Sequence, residues 1–377
     1  MNEKYSNLME SFTFKNGVTL RNRVVMAPMT TWASNDDYTV SDEELNYYKK
    51  RVTGVGMVIT GCTRVQPNGI GFANEFAAYD DSFIPSLRKL AEAAKSGGAQ
   101  AILQIFHAGN KALPAFTPNG DVVSSSALET EATAFAPSVT PRELSHDEIM
   151  EVIHAFGEMT RRAIEAGFDG VELHGAHGFL LQNFMSPFFN RREDQWGGSL
   201  ENRLRFPVAV IREIKSVIKK LATKPFTLGY RISPDEPQEG GLRMQDTYEL
   251  IERLIEEDVD YVHASLASAL SSKPVDSQDE KTYLELIVEK ANGRIPVLAA
   301  GSMVTPDDVA SGLDKGLSLA VVGQGLIMNP DWIEKVQNGQ ESEIQTTIKA
   351  SKVSELELPE KLWGVIQASG PWFKLED

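Results

Sequence analysis

Short apolar runs alternate with amphipathic helical stretches along most of the chain, and this alternation restricts the fold more than any other feature. The runs fall at residues 23–27, 55–60, 99–105, 170–173, 226–232, 261–264, 296–300 and 317–322. Runs that are apolar throughout suit parallel strands covered on both faces. Between them, Ser41 with Glu44 and Ser145 with Glu148 are spaced as capping boxes, opening helices that run to about Val52 and Ala166. Helical patterns follow at 85–96, 202–221, 246–257, 283–291 and 306–313. Eight parallel strands with intervening helices close into a (β/α)8 TIM barrel. A doubly wound open sheet is the competing α/β arrangement, but no G-x-G-x-x-G follows the first strand.

The 377 residues suit one domain, with the barrel at about 23–340 and a helical extension at about 341–377. Residues 12–20 read as an N-terminal β-hairpin, its Asn16-Gly17 pair suiting a type I′ turn. The connection 108–144 is too long for an idle link and is expected to cover one face of a site. The last residues, 359–377, are expected to form a helix and tail packed outside the barrel. A net charge of −16 argues against nucleic-acid or anionic-membrane partners. One cysteine, Cys62, excludes a disulfide framework and a cysteine-ligated cluster. With no signal-peptide core and no spanning apolar run, a cytoplasmic enzyme is expected; a homo-oligomer is compatible with all of this.

In such a barrel, chemistry collects where strands end. Thr30 follows the first strand, Cys62 the second, and Gln104 and His107 close the third. His174 and His177 follow the fourth, where two imidazoles three residues apart could each offer an N–H to one ligand. The plainer alternative is two half-buried structural histidines. Arg231 lies inside an apolar strand, and a buried cation needs an anionic or strongly accepting partner. Asp235 or Glu236 could supply it, or a bound group could. Two histidines with no carboxylate nearby are a weak metal signal. Gly301-Ser302 and Gly323-Gln324 follow strands seven and eight, where barrels hold phosphate.

One stretch, HGAHGFLLQNFMSPFFNRREDQWGGSLENRLRF from His174, resembles the signature of the Old Yellow Enzyme family of FMN-dependent NAD(P)H:flavin oxidoreductases. The likeness continues through RNRVVMAPMT, LQIFHAGNKA and AVVGQGLIMNPDW, nearly the whole chain. It implies FMN as cofactor, NAD(P)H as hydride donor and a small-molecule electron acceptor. It places Pro28, Met29, Thr30, Cys62, Gln104, His174 and Arg231 at the flavin, with Arg231 beside the N1–C2=O edge. Gly301, Ser302, Gly323 and Gln324 fall at the phosphate; relatives often carry Arg where Gln324 stands, so the expected hold on phosphate is weaker. His174 and His177 fall where the acceptor's oxygen is bound. Phe179 stands where the family usually has a proton-donating Tyr, so enone reduction is expected to be weak unless another donor such as Tyr230 serves. Quinones and nitro compounds should suffer less. A catalytically weak flavin-binding protein for storage or sensing is the alternative. The segment beyond the barrel is too short for the iron–sulfur and dinucleotide domains of longer relatives.

Overall fold

The computed structural model describes residues 2–276 and 280–376. Its centre is eight parallel strands: β1 (Val24–Met26), β2 (Met57–Ile59), β3 (Gln100–Phe106), β4 (Gly170–Gly175), β5 (Thr227–Ile232), β6 (Tyr261–Ser265), β7 (Val297–Ala300) and β8 (Leu319–Val322). Each pairs with the next, and β8 returns to β1 with Ala320 opposite Val24, closing the expected (β/α)8 barrel. Around it run α1 (Asp42–Arg51), α2 (Ile84–Lys95), α3 (His146–Ala166), α4 (Leu200–Leu221), α5 (Met244–Glu256), α6 (Tyr283–Ala291), α7 (Pro306–Asp314) and α8 (Trp332–Asn338). Both expected capping boxes form, Ser41 with Glu44 and Ser145 with Glu148, so each satisfies two backbone donors at its helix start. No helix of the described residues is long and apolar enough to cross a membrane.

One local expectation changes. The hairpin forms, with Phe12 opposite Leu20, but only Gly17 of its turn pair is left-handed (φ 91°). A type I′ turn needs positive φ at both positions. Asn16 is held otherwise: its Oδ1 accepts from Val18 N–H at 2.9 Å and its Nδ2 donates to Thr227 Oγ1 at 3.1 Å. The side chain thus pins the hairpin to the foot of β5.

The C-terminal segment forms a helix outside the barrel. This helix, α9 (Glu360–Ala368), and the turn at Gly370–Trp372 lie over the mouth, where they line the cavities described below. Buried Arg51 anchors the approach, donating to Leu326 O at 3.1 Å and Leu356 O at 2.5 Å. Pairing of Ile348 with Leu375 then brings the tail back. On the other side the long connection also reaches the mouth, as expected. Arg192 Nη1 ties it down by donating to Ser125 O and Leu144 O at 2.9 and 2.7 Å.

Candidate active site

Side chains two apart on a strand share a face, so register decides what fills the barrel. Leu298 stands beside His263, His263 beside Arg231, and Arg231 beside His174. One step lower, Tyr261 stands beside Gly229, Gly229 beside Glu172, and Glu172 beside Gln104. Barrels usually stack Val, Ile and Leu in such layers. Here four strands contribute charge and hydrogen-bonding groups at the catalytic end.

These groups form one buried network around Glu172. Its carboxylate accepts from Gln104 Nε2 at 2.8 Å, Tyr261 OH at 2.9 Å and His263 Nδ1 at 2.9 Å. Burial opposes its ionisation, but His263, Arg231 and Gln104 outweigh that and hold the carboxyl below its usual range. Gly229 makes the geometry possible, since a Cβ there would come within 2.0 Å of the Tyr261 ring. The Tyr261 side chain occupies the space that a larger residue would fill. Arg231 therefore has Glu172 as its electrostatic counterpart, not Asp235 or Glu236. Asp235 accepts from Tyr283 OH and Val275 N–H, and Glu236 from Gln182, Ser186 and Leu242.

Above the network lies a cavity of about 910 Å³. Pro28, Met29, Thr30, Cys62, Gln104, His174, His177, Phe179 and Arg231 line it, so the residues expected at a flavin and its acceptor converge there. Thr30 Oγ1 lies 3.5 Å from Cys62 Sγ, and burial pushes that thiol well above its ordinary pKa. A smaller cavity of about 250 Å³ is lined by Gly301, Ser302, Gly323 and Gln324, with Met29 and Trp372 bordering both. Gly301 (φ 153°) and Ser302 (φ 51°) turn the backbone there. Ser302 Oγ donates to Ala267 O at 2.8 Å, and Gln324 Nε2 donates to Trp372 O. No lysine or arginine lines this smaller cavity, so its polar offer is mainly backbone.

The histidine pair is set by different devices. His174 belongs to β4 itself, and its Nδ1 accepts Ala176 N–H at 3.3 Å, which leaves the proton on Nε2. His177 sits in a left-handed turn (φ 58°), with its N–H bonded to Ser233 Oγ at 2.9 Å. The rings lie 4.8 Å apart, centroid to centroid. Burial holds both well below the ordinary histidine pKa, so both are neutral at pH 7. Ser265 links His177 to Arg231, its Oγ lying 2.7 Å from His177 Nε2 and 3.1 Å from Arg231 Nη2. Arg can only donate, so the serine accepts from it and has its own proton to give His177.

Phe179 is an apolar wall, with its ring 4.8 Å from His174 and 5.0 Å from Phe106. Tyr230 does not replace the missing hydroxyl. It alternates out of the barrel with its ring against Gly175, and it does not line the cavity. His107 is structural: Nδ1 accepts from Gly109 N–H at 3.0 Å and Nε2 lies 3.3 Å from Asn68 Oδ1. The reading from sequence missed Glu172, Tyr261, His263 and Ser265, whose inward register no local motif announces. It also missed Lys111 and the aromatic walls Trp32, Phe72, Phe135 and Trp372.

Known proteins share this architecture. The model of the NADH:flavin oxidoreductase / NADH oxidase family matches residues 7–343. A probable NADH-dependent flavin oxidoreductase of Bacillus subtilis (strain 168) is 42% identical over 377 residues, covering 100% of both chains. An NADH:fumarate oxidoreductase of Klebsiella pneumoniae (strain 342) is 38% identical over 94% of this chain, which spans 38% of that protein's length. Among solved structures, morphinone reductase superposes with a TM-score of 0.75 at 26% identity, covering 89% of this chain and 91% of that one. The Old Yellow Enzyme of Trypanosoma cruzi also gives 0.75 at 26% identity, covering 89% and 93%.

Proposed function

The chain belongs to the NADH:flavin oxidoreductase / NADH oxidase family, and from that premise we propose that it passes hydride from NADH or NADPH, by way of FMN, to a flat electron-poor acceptor held at His174 and His177. The observation that carries this reading is the pair of cavities meeting at Met29 and Trp372: one large, with Arg231 and Gln104 among its walls, and one small, built of glycine turns. That shape suits a ring system joined through a chain to a phosphate. The groups present fit it too, since Arg231 Nε is buried without a hydrogen-bond partner among the described residues and a buried donor of that kind calls for an acceptor.

FMN, when bound, supplies the two-electron carrier between nicotinamide and acceptor. The protein's part is to hold and polarise. Arg231 is the cation for the ring's N1–C2=O edge. Gln104 gives one N–H to Glu172, so its second N–H and its amide oxygen are left for the ring. Thr30 offers its hydroxyl near the ring's other polar edge. Gly301, Ser302, Gly323 and Gln324 give phosphate their backbone N–H groups, without the arginine common in relatives. His174 Nε2–H and the protonated nitrogen of His177 donate to the acceptor's oxygen, drawing charge toward it as it is reduced. Both imidazoles are neutral, so they act as hydrogen-bond donors and not as cations.

Phe179 brings no proton to the acceptor's carbon, and Tyr230 stands elsewhere. Acceptors whose reduced oxygens take protons from water, quinones and nitro compounds, are therefore favoured over simple enones. Spectroscopy of the purified protein tests the reading. We expect a bound flavin absorbing near the usual visible bands, bleached anaerobically by NADH or NADPH and restored by a quinone. A colourless protein with no affinity for added FMN would sink it.

A further inference from the structure

Resting on the reading above, we propose that Lys111 is the anion-recognising residue of the acceptor cavity, selecting flat conjugated acceptors that carry a carboxylate. In a chain of net charge −16, the larger cavity is lined among the described residues by Lys111 and Arg231 but by no aspartate or glutamate. The two cations are not alike. Arg231 is opposed by Glu172 and its network. Lys111 forms no ion pair among the described residues; its Nζ donates to His177 O at 2.6 Å. The carboxylate whose field reaches it is Glu236, and this is already engaged by Gln182 Nε2, Ser186 Oγ and Leu242 N–H. A half-buried ammonium among apolar walls is costly until an anion joins it. Burial lowers the Lys111 pKa, with Glu236 pulling the other way.

The local backbone is shaped to let the lysine through. Gly178 (φ 71°) lies between His177 and Phe179, and a Cβ there would come within 2.9 Å of Lys111 Nζ. The ammonium thus reaches the cavity beside the histidine pair and the Phe179 wall. Trp32 packs edge-on against Phe72 at 5.6 Å, Phe72 against Phe179 at 6.2 Å, and Trp372 closes on Trp32 at 6.2 Å. Phe135 completes the wall at 6.0 Å from Trp32. Such a wall favours a flat ring, the histidines take its oxygen, and Lys111 is left for a negative substituent.

The experiment uses FMN-loaded protein and follows oxidised flavin absorbance during titration with ortho-, meta- and para-hydroxybenzoate and the three matching hydroxybenzamides. At least one acid should bind roughly tenfold tighter than its amide, equivalent to about 1.4 kcal/mol. Lys111→Gln keeps an N–H for His177 O but has no charge; it should bring that ratio near one while leaving amide affinity unchanged. Lys111→Arg should keep the preference, and Lys111→Met covers a glutamine that disturbs the cavity. The proposal is overturned if no isomer shows a preference in the wild type, or if the preference survives in both uncharged variants. Weaker dependence on NADH with an unchanged ratio would instead assign Lys111 to the nicotinamide phosphates, and would overturn it too. The ratio is read on bound flavin without turnover. Failure of NADH to reduce that flavin would therefore count against the proposed function alone.

Discussion

At the scale of single residues, the positions that matter most differ in how they reach the chemistry. Phe179 lines the larger cavity directly, so on the proposed function its effect should depend on the acceptor. A tyrosine there regains a hydroxyl beside His174, and general acid catalysis commonly contributes about 10²–10⁴-fold. We expect Phe179→Tyr to speed reoxidation of the reduced flavin by cyclohexenone within that range and by a quinone hardly at all, read by stopped flow. Equal enone rates in wild type and variant would mean that the proton reaches carbon by another route. Glu172 acts at one remove, as a positioning residue behind Gln104 and Arg231. Neutralising it as Glu172→Gln leaves Arg231 unopposed, which favours the anionic reduced flavin. The potential of bound FMN should rise by about 30 mV, the two-electron equivalent of ~1.4 kcal/mol, while Arg231→Leu should lower it. Shifts of the same sign in the two variants would show that Glu172 merely supports the fold.

At the scale of elements, β5 and β6 fit together because one is missing a side chain. Gly229 stands opposite Tyr261, and the added methyl of Gly229→Ala would press on its ring from 2.0 Å. Overpacking of this kind costs typically 1–3 kcal/mol. We expect a lower denaturation midpoint for this variant together with a changed flavin potential, since a displaced Tyr261 releases Glu172. A midpoint equal to wild type would show that the ring has room to move. Such pairings also mark the limit of what the sequence reveals. Strand runs, capping boxes and strand-end polar residues are local patterns, so the barrel, His174, His177 and Arg231 were legible. Glu172, His263 and Ser265 have meaning only once register turns them inward, and their neighbours in sequence are ordinary strand residues. That the C-terminal helix covers the mouth is hidden in the sequence for a similar reason. Its position over the mouth depends on Arg51 gripping the carbonyls of Leu326 and Leu356, contacts across hundreds of residues.

At the scale of the whole molecule, a few buried carboxylates set the response to pH despite the large surface charge. Glu44 joins the loop after β1 to α1, accepting from Thr31 Oγ1 at 2.5 Å, Ser34 Oγ at 3.2 Å and Ser41 N–H at 3.0 Å. Burial outweighs those bonds and pushes its pKa up to about 7. Glu75, buried against Arg64, is pushed to about 8 by the same cause. A carboxyl whose folded pKa is raised binds its proton more tightly in the native state. Its contribution to stability is therefore complete below the ordinary 4.5 and is lost as pH rises through the folded value. Half-buried Glu148, Glu252 and Glu285 are held near 2 by their hydrogen-bond partners and act oppositely, losing their contribution as pH falls toward that value. Glu44→Gln removes one titration from the first group while keeping an acceptor oxygen for Ser41 N–H and turning its NH2 to the Thr31 hydroxyl, which can accept. The interval from 4.5 to about 7 corresponds to ~3 kcal/mol at about 1.4 kcal/mol per pH unit. Urea unfolding of wild type and variant should therefore show a stability difference that drifts by up to that amount across the interval. The wild type should be favoured at the acid end, and the variant should gain toward pH 8. A difference that stays flat from about pH 5 to about pH 8 would place the Glu44 titration at its ordinary value, and the loop between β1 and α1 would then be held by an ionised carboxylate throughout.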